Sequence, residues 1–188
     1  SIQSLSYLNL NGFTTTKFTD FSYFFNELTS LKTLLLTNFK GPTKANRMDY
    51  MFNNCKSLTS LSLLNLDTSL TTTMTYMFNG CNSLQYIEIP KLNAKNMKDY
   101  SYMFNDCTSL ISLNLSIING QQNNNMEYMF NNCNKLISLD FSNFDTSLTN
   151  NMKYMFKGCT SLKDLKLSDN FDTSSVTDFS YMFNGCTS

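Results

Sequence analysis

All six cysteines of this 188-residue chain occupy one position of a recurring hexapeptide. It reads YMFNNC at 50–55 and 128–133, YMFNGC at 76–81 and 181–186, YMFNDC at 102–107 and YMFKGC at 154–159. Thiols so placed can ligate a metal, act as nucleophiles, form disulfides or simply pack. A metal site needs clustered ligands, and one cysteine per repeat with no histidine in the chain does not resemble a C-x-x-C site. A catalytic thiol needs a basic partner, and six equivalent candidates argue against a single nucleophile. Disulfides between neighbouring repeats are the alternative to packing, because equivalent residues of stacked coils lie about 5 Å apart. Their side chains would nevertheless run in parallel rather than towards each other. A divergent copy, YFFNELTSL at 23–31, puts Leu28 in the cysteine slot. The expectation is therefore a structural ladder of buried free thiols at Cys55, Cys81, Cys107, Cys133, Cys159 and Cys186.

The elements that hold this ladder follow from its period. The first five cysteines are 26 residues apart and the sixth follows after 27. Extra residues fall in turn-forming sequence, at Gly41–Pro42 and at Asp169–Asn170. Each copy has two halves. One reads Leu-x-x-Leu-x-Leu, as in Leu58/Leu61/Leu63 and Leu110/Leu113/Leu115. Its alternation predicts a strand with one buried face. The other half reads i, i+3, i+4, i+7, as in Met74/Met77/Phe78/Cys81 and Met152/Met155/Phe156/Cys159. That spacing predicts one apolar stripe of a short helix. Thr19, Asn46, Thr72, Asn124, Asn150 and Thr177 stand where an N-cap belongs. Asn54, Gly80, Asp106, Asn132, Gly158 and Gly185 suit a left-handed helix end. The predicted fold is an α/β repeat solenoid of leucine-rich-repeat type, with a parallel sheet on one face, short helices on the other and about seven coils of 26–27 residues. Residues 1–188 are expected to form one such solenoid, a segment of a longer array uncapped at both ends.

Two further ladders share the repeat. Tyr23, Tyr50, Tyr76, Tyr102, Tyr128, Tyr154 and Tyr181 hold one slot. They read as an aromatic stack between neighbouring helices or as a recognition stripe for sugar or protein. Asn26, Asn53, Asn79, Asn105, Asn131 and Asn184 hold another, expected to bond backbone between coils. Asp67, Asp145 and Asp172 open Asp-Thr-Ser turns.

At this point the unit CTSLKDLKLSDNFDTSSVTDFSYMF (159–183) resembles the BspA-like leucine-rich repeat of bacterial and protist surface proteins. The likeness covers nearly the whole chain, with NFDTSLTNNMKYMFKGCTSL (143–162) the closest copy. The resemblance implies an extracellular or cell-surface location, attachment to host matrix or aggregation with other cells.

Function in a solenoid is expected where copies differ, on the outward strand positions. Tyr86, Glu88, Asn114, Asp140, Asp164 and Lys166 break an otherwise small, hydroxylated face and are the candidate ligand-binding residues. No catalytic constellation, metal site or cofactor motif is legible, so no enzyme and no cofactor is expected. Formal net charge is zero with no block of like charge, which disfavours nucleic acid. No apolar run reaches membrane-spanning length, so a membrane link would run through an anchor outside this segment. The leading expectation is a non-enzymatic adhesion module for a protein or glycan partner. The alternative is a structural spacer or polymerising subunit of a surface appendage, through end-to-end self-association.

Overall fold

The computed structural model describes residues 2–15, 17–39, 45–89, 96–115, 123–169 and 171–188. The extra residues at Gly41–Pro42 and Asn170 lie outside them. The Leu-x-Leu segments form seven short strands: β1 (Tyr7–Asn9), β2 (Thr33–Leu35), β3 (Ser60–Ser62), β4 (Tyr86–Glu88), β5 (Ser112–Asn114), β6 (Ser138–Phe141) and β7 (Asp164–Leu167). In each the middle apolar residue turns inward, so Leu34, Leu61, Leu113 and Leu139 are buried between exposed or half-buried neighbours. All pairings are parallel and in register at one repeat, as with Leu113 opposite Leu139 and Leu139 opposite Leu165. Rather than one sheet, the described strands form ladders of two, two and three, with breaks between β2 and β3 and between β4 and β5.

Among the described residues the opposite wall contains no α-helix, and a 3₁₀ turn spans Ile2–Ser4. Hydrogen bonding explains the departure from the expected helices. In the 74–81 segment the N–H groups of Met77, Asn79 and Cys81 close three-residue-back turns onto Met74, Tyr76 and Phe78. The intervening N–H groups of Tyr76, Phe78 and Gly80 donate to Ser101, Met103 and Asn105 of the next coil. A helix would need every N–H for its own i−4 carbonyl. Here half of them stitch coils together, and the apolar stripe survives as a run of overlapping turns. Met74, Met77, Phe78 and Cys81 are still all buried.

Two residues per coil take left-handed backbone. One is the pre-cysteine position, where Asn54, Asp106 and Asn132 have φ of 57–59° and Gly80, Gly158 and Gly185 of 69–79°. That conformation was expected there, although it ends no helix. Glycine at 80 is also a steric demand, since a Cβ would lie 2.5 Å from Asn54 Oδ1. The other is the tyrosine slot, with φ of 56–62° in all seven copies, which breaks any helix before its second turn.

The predicted N-cap residues do not cap. Their backbones form an unbroken inter-coil column, Thr72 N–H to Asn46 O, Lys98 N–H to Thr72 O and Asn124 N–H to Lys98 O. The side chain one residue later takes the capping role: Asp99 Oδ1 accepts Ser101 N–H at 2.8 Å, and Asn125, Asn151 and Asp178 repeat it. A column of single-residue bridges from Asp20 through Arg47, Thr73, Asp99, Asn125 and Asn151 to Asp178 runs the length of the stack. The whole is a parallel β-solenoid of about five turns, not seven helix-bearing coils. Five cysteines, Cys55 to Cys159, are wholly enclosed, whereas the outermost copies leave Phe24, Phe179 and Phe183 exposed.

Candidate interaction surface

The interior ladders decide which residues are free to bind. The cysteines are all unpaired thiols, five of them fully buried and Cys186 half-buried. Each Sγ donates to the carbonyl of the phenylalanine one coil back: Cys81 to Phe52, Cys107 to Phe78 and Cys159 to Phe130, all at 3.1 Å. Burial pushes the thiols up, to about 12 for Cys55 and Cys159. A thiol held protonated in apolar packing is neither nucleophile nor ligand. Among the described residues no group of three or more His, Cys, Asp or Glu is placed to hold a metal.

The asparagine ladder bonds amide to amide, not side chain to backbone as expected. Asn53 donates to Asn26 at 2.9 Å, Asn79 to Asn53 at 2.7 Å, Asn105 to Asn79 at 2.6 Å and Asn131 to Asn105 at 2.7 Å. It stops at Asn131, whose buried Oδ1 lacks a partner, because the next coil carries Lys157 in this slot. The Asp-Thr-Ser turns close as expected, with Asp67, Asp145 and Asp172 accepting the N–H of Ser69, Ser147 and Ser174.

The strand face carries the six candidate residues. Asn114, Asp140 and Lys166 form one register row across β5, β6 and β7. Lys166 Nζ lies 3.4 Å from Asp140 Oδ2. Hydrogen bonds from Ser142, and then Lys166, hold the Asp140 carboxyl below its usual range. Asp164 sits in the adjacent row, opposite Ser138. Tyr86 and Glu88 are on a separate ladder, facing Ser60 and Ser62 of β3. The six residues thus share one face but divide into two groups. Tyr86 and Glu88 edge a groove of about 410 Å³ that spans the unpaired β2–β3 step and is also lined by Lys32, Leu35, Ser60 and Ser62. Lys32 and the groove were not read from the sequence. Lys32 precedes its strand and so falls outside the alternation; the one signal was the longer repeat between Leu28 and Cys55.

On the turn wall the tyrosines stack without interruption, at ring separations of 4.4–5.0 Å and interplanar angles of 3–26°. The stack expected from the sequence therefore forms, between turns instead of helices. Each interior ring has both faces occupied, so the stripe shows solvent its edges and hydroxyls. Burial against neighbours raises the phenols of Tyr50, Tyr76, Tyr102 and Tyr128. Lys153 and Lys157 lie 5.3 and 5.0 Å from the Tyr154 ring centroid.

A parallel solenoid with one short strand per repeat, a leucine-lined interior and a variable strand face defines the leucine-rich-repeat fold class. The chain belongs to the family described as Mycoplasma protein of unknown function, DUF285, whose model matches residues 19–138 and 114–188. The fold is similar to that of a leucine-rich cell-surface protein from Faecalibacterium prausnitzii, at 17% identity and a TM-score of 0.56. That match covers 93% of this chain and 52% of the other, so this chain spans about half its length. Leucine-rich-repeat proteins from Eubacterium ventriosum and Bacteroides ovatus also match, at 15% and 16% identity and TM-scores of 0.45 and 0.39. They cover 98% and 86% of this chain and 56% and 54% of theirs. No curated protein matches the sequence. The leucine-rich-repeat fold that the BspA-like resemblance implies agrees with the Faecalibacterium structure.

Proposed function

We propose that the chain is a non-enzymatic, extracellular binding module that presents its outward strand face to a protein or glycan at a cell surface or matrix. The observation that carries this reading is the division of labour between walls. Cysteine, phenylalanine, asparagine and tyrosine repeat coil after coil inside and on the turn wall, where each serves the stack. The outward strand positions, by contrast, differ from coil to coil, and there an exposed tyrosine, a carboxylate and a lysine border the 410 Å³ groove. The similar Faecalibacterium protein is described as a cell-surface protein, which supports the location. No helix among the described residues is long and apolar enough to cross a membrane. Capture on arrays of matrix proteins and glycans, comparing the native chain with Glu88→Lys and Lys166→Glu, tests the reading. Unchanged capture by folded variants would remove it.

A second reading is end-to-end self-association in a surface polymer, for which the apolar cavity of about 420 Å³ lined by Leu167, Phe171, Phe179 and Phe183 would be a docking surface. Light scattering across a concentration series, with negative-stain microscopy, separates the two. Ordered filaments support the polymer, and a size independent of concentration excludes it.

A further inference from the structure

The tyrosine stripe carries chemistry beyond binding. Oxidants reaching a protein ordinarily consume thiols and thioethers first, since these are its softest and most reactive groups. Here five cysteines are sealed in the core, and Met48, Met51, Met74, Met77, Met103, Met126 and Met155 are buried with them. The redox-active side chains left half-exposed in a connected array are the phenols. Tyr76 and Tyr102 are the tightest pair, with ring centroids 4.4 Å apart and planes within 7°. Burial first, and then the negative charge of Glu127, holds both phenols protonated, so proton and electron leave together. At Tyr154 the ammonium groups of Lys153 and Lys157 disfavour loss of an electron.

We propose that the stripe is an oxidative cross-linking site, in which a peroxide and a haem peroxidase join Tyr76 to Tyr102 as dityrosine and staple two neighbouring coils. Each phenol loses one electron and one proton to give a phenoxyl radical, and one hydrogen peroxide takes up both electrons and both protons to become two waters. The two radicals couple through ring carbons ortho to oxygen, and the two ortho hydrogens then shift to the oxygens to restore both phenols. A radical formed elsewhere on the ladder passes its vacancy from ring to ring through the stack, so the staple collects at this pair. The product stiffens the solenoid without using a disulfide, in a protein whose thiols are all engaged in packing.

The full chain treated with peroxidase and limiting peroxide at low protein concentration tests this. Lysines at 91, 95 and 98 separate the two tyrosines, so digestion after lysine releases a linked pair of peptides only if the bond has formed. The expected product is monomeric, shows dityrosine fluorescence, and yields a peptide pair two hydrogens lighter than its parts that joins Tyr76 to Tyr102. Tyr102→Phe, which keeps the ring and the stack, should abolish that pair, whereas Tyr7→Phe and Tyr86→Phe should leave it intact. Dityrosine found only between molecules, oxidation falling first on Tyr7, Tyr86 or a buried thiol, or no linkage within the stripe, would each overturn the proposal.

Discussion

The carbonyl of Phe78 accepts two hydrogen bonds, from the N–H of Cys81 in its own coil at 3.2 Å and from the thiol of Cys107 in the next coil at 3.1 Å. This answers why cysteine recurs where alanine or leucine would fill the space. A buried carbonyl has two lone pairs, and the thiol is an apolar group that can still donate to the second. Cys107→Ala removes that bond and leaves a small void, at a cost of about 1–2 kcal/mol. The shift of the denaturant midpoint measures it. A midpoint unchanged from the native chain would show the thiol to be mere filler.

Alkaline pH should unfold the protein through these thiols. Burial raises them from 9.0 to about 12 at Cys55 and Cys159. The folded state therefore binds their protons more tightly than the unfolded state does. The stability this gives is fully present below the ordinary thiol value and is lost as pH rises through the folded one. Thermal midpoints should be level up to about pH 9 and fall progressively towards about pH 12. Alkylation at neutral pH should begin at half-buried Cys186.

Substitution at Tyr102 distinguishes turn from helix. In an exposed helix interior glycine is less stable than alanine by about 1 kcal/mol. At φ of 59° the order inverts, because the left-handed region penalises a Cβ by about 1–2 kcal/mol. Both Tyr102→Ala and Tyr102→Gly lose the stack, so their difference isolates the backbone. Glycine should be the more stable of the two.

The interrupted amide ladder can be completed. Lys157→Asn would offer an Nδ2 donor to the orphaned Oδ1 of Asn131, where an unmet buried acceptor costs about 1–3 kcal/mol. The lysine's contact with the Tyr154 ring is worth about 0.5–1 kcal/mol and would be lost. A net gain of about 1 kcal/mol is expected in chemical denaturation.

Much of this was legible beforehand, for a clear physical reason. The 26-residue period, the inward leucines and the enclosed cysteines all express burial, and burial leaves a periodic trace. The failure was specific. Met74, Met77, Phe78 and Cys81 have helical spacing, yet consecutive turns bring the same four positions inward. What decides between the two is where alternate N–H groups go, and those donate to the next coil, a partner the local pattern does not contain. Nor did tyrosine advertise its left-handed backbone, since only asparagine, aspartate and glycine are known for it. Tyr86 and Glu88 were visible as breaks in a monotonous face. The groove beside them was not, because it arises from the missing pairing between β2 and β3.

The most direct test of the account compares the two walls against one captured ligand. Binding of the best array hit would be measured by interferometry for the native chain, for Glu88→Lys with Lys166→Glu on the strand face, and for Lys153→Glu with Lys157→Glu on the turn wall. At least a tenfold loss is expected for the strand-face pair, equivalent to about 1.4 kcal/mol, and no change for the turn-wall pair. Loss confined to the turn-wall variant, with the strand-face variant binding like the native chain, would contradict it.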